Sequence, residues 1–204
     1  MKKVLTFAAA AIAASFVSVS AQASIIDFVA EAAGNERGVA SGTQVTINGN
    51  VITLNSNFSP YFDDLSAGRP AGLGVCRVLD AGAQCDPSDD DSIDGEGGIA
   101  EYVEVVFDSP FSINGLSFYD SDHVSIDDSA GQLLINGMLT TFADAVAAAA
   151  NGDFAGLESI RFTYVNTDFY IGSISDVPIP GAIPLLLSGL AGLGFAGRKK
   201  KKTA

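Results

Sequence analysis

All 24 carboxylate side chains of this 204-residue chain fall between Asp27 and Asp176, whereas seven of its 11 Lys and Arg lie outside those bounds. Residues 24–176 hold four cations, Arg37, Arg69, Arg77 and Arg161, and no lysine, for a net charge of −20. About 150 residues are enough for one domain with its own core. Such a surface repels nucleic acid and anionic lipid, and attracts divalent cations or basic partners. Solubility of an exported domain explains the same charge without any specific partner.

Both ends are apolar. In residues 1–23, Lys2 and Lys3 precede an apolar run, and Ala21-Gln22-Ala23 follows as a small-residue cleavage site. This pattern predicts a helical signal peptide read by the Sec export machinery, cut between Ala23 and Ser24. The alternative is an uncleaved N-terminal anchor. At the other end, residues 177–202 have three parts. Val177-Pro178-Ile179-Pro180 excludes continuous helix, because proline lacks an N–H and restricts the residue before it. Residues 181–197 are uncharged; as a transmembrane helix they span about 25 Å against a bilayer core of about 30 Å. Arg198, Lys199, Lys200, Lys201 and Lys202 then hold the C-terminal end in the cytoplasm. Four glycines within residues 189–197 suit close helix packing.

Cys76 and Cys85 sit in the exported region, where an even count predicts one disulfide. A catalytic thiol needs a histidine partner, and His123 is the only histidine.

The domain reads as short strands between turn clusters. Residues 25–30, 44–47, 51–54, 101–107, 111–119, 123–127, 132–135, 159–165 and 169–174 have strand character. Asn48-Gly49-Asn50 marks a hairpin, Asp108-Ser109-Pro110 a break and Asn114-Gly115 a bulge. One short helix starts at Thr141 and Asp144, a capping-box-like pair, and stops at Asn151-Gly152. The fold expected is an antiparallel β-sandwich, jelly-roll-like, with that single helix.

The sharpest chemical motif is D-x-S-x-D-G-x5-E, beginning at Asp90. Oxygen ligands at alternate residues wrap one cation, Gly95 permits the turn, and the last Glu closes the shell. The candidate calcium ligands are Asp90, Ser92, Asp94, Glu96 and Glu101. No amphipathic helix flanks the loop, and Gly97 stands where an apolar residue is usual. A solvated acidic loop is the alternative. A second acidic group, Asp120, Asp122, Asp127 and Asp128, surrounds His123 and reads more simply as solvated loop carboxylates. No G-x-S-x-G elbow, H-E-x-x-H zinc motif or phosphate-cradling glycine loop is present. Paired acids of the glycosidase kind remain compatible with 24 carboxylates, but the chain has no Trp to stack a sugar.

The tail resembles a PEP-CTERM sorting segment in the order of its parts: Val177-Pro178-Ile179-Pro180, the run Leu185-Leu186-Leu187-Ser188-Gly189-Leu190-Ala191-Gly192-Leu193, and the cluster 198–202. Ile179 stands where the name-giving motif has Glu. The resemblance implies an exported bacterial protein recognised by a membrane-embedded exosortase, which processes it near the Pro-x-Pro motif. Such proteins typically come from organisms that make extracellular polysaccharide. Residues 72–75, 89–94, 101–107 and 169–175 resemble, more weakly, domains found before such tails, which implies a β-sandwich. The expectation is a non-enzymatic surface or matrix protein associated with exopolysaccharide. The alternatives are a calcium-dependent carbohydrate-binding module and, third, a polysaccharide-acting hydrolase.

Overall fold

The computed structural model describes residues 24–176 other than 65–67, 89 and 127–128. In chain order the elements are β1 (Ser24–Asp27), α1 (Phe28–Ala32), β2 (Arg37–Gly38), β3 (Thr43–Ile47), β4 (Asn50–Ser56), β5 (Ser59–Asp63) and β6 (Gly72–Cys76). A 3-10 turn at Glu96–Gly98 precedes β7 (Tyr102–Ile113), β8 (Gly115–Asp120), β9 (Gln132–Ile135), β10 (Met138–Thr141), α2 (Phe142–Ala150), β11 (Phe154–Tyr164) and β12 (Phe169–Asp176). The fold is mainly antiparallel β. One six-stranded sheet has the order β1-β12-β6-β5-β2, with β8 on β12; the other runs β10-β9-β11-β7-β4-β3.

Alternation explains why the sheets pair through one core. Val103, Val105 and Phe107 face inward from β7, while Tyr102, Glu104 and Val106 are half-buried on the other face. Inward residues of both sheets, among them Leu54, Leu73, Val75, Val105, Ile160 and Ile171, belong to one buried cluster. Its centre is aromatic. Phe118, Phe142, Phe162 and Phe169 meet edge to face at centroid distances of 5.2 to 6.0 Å. Each such pair adds about 0.5–1.5 kcal/mol beyond burial. Phe142 brings α2 into this group. Thr141 caps that helix as its sequence predicts, its hydroxyl accepting from the Asp144 N–H at 3.1 Å.

Several sequence expectations are redrawn. Residues 25–30 are not one strand: Asp27 accepts from the Ala30 N–H at 3.0 Å and starts α1 instead. Asp108-Ser109-Pro110 does not end its strand. The ladder with β4 stops at Phe107, and the register with β11 jumps from Val106 to Phe111. Pro110 therefore sits where no ladder partner asks for its missing N–H. Asn114 is the corner at which the chain leaves one sheet for the other. Residues 123–126 are not a strand beside β9; Asn136 and Gly137, at φ 51° and 81°, turn β9 onto β10. Strands β2, β5, β6 and β10 had no place in the sequence reading.

A strap formed by residues 90–94 crosses β6 and positions the site. The Asp91 carbonyl accepts from the Val75 N–H at 3.1 Å, and Ile93 exchanges two hydrogen bonds with Phe169, at 2.8 and 3.2 Å. The strap fits because residue 74 is glycine: a Cβ there would lie 1.9 Å from the Asp91 carbonyl oxygen.

The two end segments, 1–23 and 177–202, lie outside the described residues, and the expected signal and transmembrane helices lie there with them. Among the described residues, no helix is long and apolar enough to cross a membrane.

Candidate functional site

Neighbouring residues of an extended strap project to opposite sides, and Asp90 and Asp91 do so into two separate polar groups. Both are buried, at 5% and 7% exposure. Cys76 and Cys85 form the predicted disulfide, which closes the loop between β6 and the strap.

On the Asp90 side the centre is Arg77. Its Nε donates to Glu101 Oε1 at 2.8 Å, and its Nη2 to Asp94 Oδ1 at 3.4 Å. Asp90 Oδ1 lies 3.9 Å from Nε, and Glu96 Oε2 lies 3.8 Å from Nη1. Nη2 also donates to the Glu96 carbonyl. The guanidinium stands 5.5 Å from the Phe58 ring centroid. Glu101 is fully buried, and its second oxygen accepts from the Asp94 N–H at 3.3 Å. Burial pushes the Glu101 carboxyl up to about 7, against the opposing pull of the Arg77 hydrogen bond. Burial, with the neighbouring Glu96 carboxylate adding to it, likewise raises Asp90 to about 6. The hydrogen bond to Glu101 raises Arg77 in turn.

Of the sequence-predicted calcium ligands, Asp90, Asp94 and Glu101 come together, each offering an oxygen within 4.8 Å of the others. Ser92 is buried in the strap. Glu96 is largely exposed, at 65% of its side chain. Beside this group opens a cleft of about 520 Å³, walled by Pro87, Asp90, Asp94, Gly95, Glu96, Tyr164 and Asp168. Asp168 is raised by burial and then by the Asp94 charge. Tyr164 packs against Gly95, where a Cβ would fall 2.2 Å from its ring.

On the Asp91 side, Tyr170 donates its hydroxyl to Asp91 Oδ1. Its ring meets His123 edge-on at 5.3 Å. His123 Nε2 lies 3.1 Å from Asp63 Oδ2, and its Nδ1 lies 3.2 Å from the Arg69 carbonyl. A carbonyl only accepts, so Nδ1 carries a proton. Burial first, then the charges of Asp91 and Glu36, push Asp63 up to about 7. Burial raises Asp91, and burial with the neighbouring Asp91 and Asp63 raises the Tyr170 phenol. Asp120, grouped with His123 in the sequence, instead ties its own turn, accepting from the N–H groups of Asp122 and Val124 at 3.0 and 2.8 Å. Asp127 and Asp128 lie outside the described residues.

Arg77, Asp63, Asp91 and Asp168 were not singled out from the sequence as site residues. For Arg77 a signal existed: four cations among 24 carboxylates are each expected to be heavily solicited. Ser24 opens β1, whereas Ala23, Val177, Pro178, Ile179, Pro180 and residues 198–202 lie outside the described residues. No protein-family model, curated protein or solved structure matches this chain.

Proposed function

We propose that this chain is an exported, non-enzymatic bacterial protein of the cell surface or extracellular matrix, associated with exopolysaccharide. The Sec machinery delivers it as a membrane-anchored precursor. An exosortase-type enzyme then recognises the PEP-CTERM-like tail and processes it near Pro178 and Pro180. The two sheets are read as a β-sandwich of jelly-roll kind.

One observation carries the reading. Ser24 and Asp176 are directly paired residues of neighbouring antiparallel strands β1 and β12. The first residue after one expected cut and the last before the tail thus stand side by side at one sheet end. A domain so arranged keeps its ladder when both end segments are removed. Mass spectrometry of the protein from its own cells tests this. The expected product begins at Ser24 and ends near Pro180, while a Pro178→Ala/Pro180→Ala variant stays in the membrane at higher mass. An unchanged mature mass and location in that variant would overturn tail processing.

A second reading, a carbohydrate-binding module, is favoured by Tyr164 standing among carboxylates in the cleft. Aromatic face plus acceptors is the chemistry that holds a sugar. A glycan array probed with and without calcium tests it, and no signal on acidic or neutral matrix polysaccharides would remove it.

A further inference from the structure

The cleft beside Arg77 is out of charge balance. Glu101 and the carboxylates of Asp90, Asp94, Glu96 and Asp168 gather around it, against one guanidinium. Arg77 is committed to Glu101 at 2.8 Å. Glu101 is also used up, since both its oxygens accept hydrogen bonds and no part of it reaches solvent.

Asp90 is different. Its Oδ1 is buried without a hydrogen-bond partner, and Arg77 Nε stays 3.9 Å away. An unpartnered carboxylate oxygen in a buried position carries a desolvation cost that a ligand would relieve. Asp90 forms part of the cleft wall, with Asp94 beside it and Asp168 joining from the loop between β11 and β12.

We propose that this cleft binds one calcium ion between Asp90, Asp94 and Asp168, with Glu96 and water completing the shell and Arg77 holding Glu101 out of it. The donor set is all hard oxygen, with no imidazole or thiolate, which suits calcium or magnesium. Irregular geometry favours calcium, because magnesium demands a near-ideal octahedron and keeps several of its waters, whereas calcium accepts carboxylates from separate segments. Asp90 and Asp94 offer oxygens close enough to share one cation. The site differs from a single-loop calcium motif, because Ser92 is buried off the cleft wall and Asp168 comes from a distant loop. The ion joins the strap to the β11–β12 loop. Arg77, a fixed cation beside it, weakens the attraction, so the expected Kd is that of extracellular modules, about 0.1–1 mM. This inference stands apart from tail processing and from sugar binding.

The test is calorimetric titration of calcium, and separately magnesium, into the full chain, with terbium luminescence sensitised through tyrosine. Calcium is expected to bind at one site, with magnesium at least tenfold weaker. Asp168→Asn and Asp90→Asn should each weaken calcium at least tenfold, while Ser92→Ala leaves it unchanged. Tyr164→Phe should lose most sensitised terbium emission yet retain calorimetric binding, which places the ion in this cleft. Unfolding temperatures in chelator establish that each variant is folded. Failure of the folded parent chain to bind calcium at 10-fold above that range would overturn the inference. So would an unchanged affinity in Asp168→Asn together with a loss in Ser92→Ala, which would return the site to the single loop. Neither result bears on the mature mass, which tests the sorting reading alone.

Discussion

Arg77 holds a fully buried Glu101 and stands near a buried Asp90, so its loss strands charge in the interior. Removing one partner of a buried ion pair costs about 3–5 kcal/mol, because the other charge is left uncompensated. Arg77→Met is expected to destabilise by about 3 kcal/mol in urea denaturation, and Arg77→Met/Glu101→Gln to recover at least half of that. A loss no larger in the single variant than in the double would show that the pair is unimportant. Asp63 gives a second prediction, with a definite sign. Its folded value of about 7 lies above the ordinary 3.8. Between these values the folded protein keeps a proton that the unfolded chain has released. The stability Asp63 contributes is therefore fully present below about 4 and lost as pH rises through about 7. Asp63→Asn, neutral throughout, should match the parent at pH 4 and exceed it at pH 8 by about 1 kcal/mol, or about 2–4 °C in Tm, after allowing for solvent screening. A Tm difference independent of pH would contradict the assignment. At this scale the sequence was half legible. The spacing along one acidic stretch brought Asp90, Asp94 and Glu101 forward together, and the fold sets their carboxylates beside one another. Arg77 and Asp168 join them only through tertiary packing, which no local pattern encodes, and Asp91 looked like one more solvated acid in a run of them.

Among the elements, β6 carries the strap, and Gly74 is the point of closest approach. A methyl group there would collide with the Asp91 carbonyl, which cannot retreat without giving up its bond from Val75. Gly74→Ala is expected to cost about 3 kcal/mol, at the upper end of ordinary overpacking, and to expose Asp90 and Asp91 together. Gly49→Ala is the control. That turn is open, with nothing within 4 Å, so only its positive φ matters and the cost is about 1 kcal/mol. Chemical denaturation of both variants checks the difference; equal losses would mean that the strap is not held by β6. The same strand shows why some elements escaped a reading by pattern. Gly72 to Cys76 are all buried, so no polar alternation marks them. Asn48-Gly49-Asn50 was read as a hairpin because Asn and Gly tolerate positive φ and strand-like runs flank them, and Asn48 and Gly49 do stand at φ 49° and 82°. Asn136-Gly137 offers the same turn chemistry, but its second strand exposes Met138 and Leu139 and shows no inward face. The helix at 142–150 was legible because its cap, its apolar spacing and its stop all lie within the segment.

At the scale of the whole molecule, the register of β1 on β12 makes a testable statement about both ends. Ser24 opposite Asp176 places the two junctions within one strand spacing, about 5 Å. The ladder is closed up to those residues, and Asn114 ties the last of them, its Nδ2 donating to Asp176 Oδ1 at 3.0 Å. Residues 24–176 should therefore melt within about 2 °C of the full chain, less than 1 kcal/mol for a chain of this size. Cutting slightly deeper should behave very differently. Residues 24–27 include Ile26, fully buried, and Asp27, whose carboxylate caps α1. Losing a buried Ile costs about 2–5 kcal/mol and a cap about 1 kcal/mol, so a chain starting at Phe28 should melt at least 6 °C lower. Scanning calorimetry on the three lengths separates the outcomes. A sharp boundary at Ser24 and Asp176 is what removable end segments require. A full chain much more stable than residues 24–176 would mean that the ends support the fold, and processing there would then release an unstable domain.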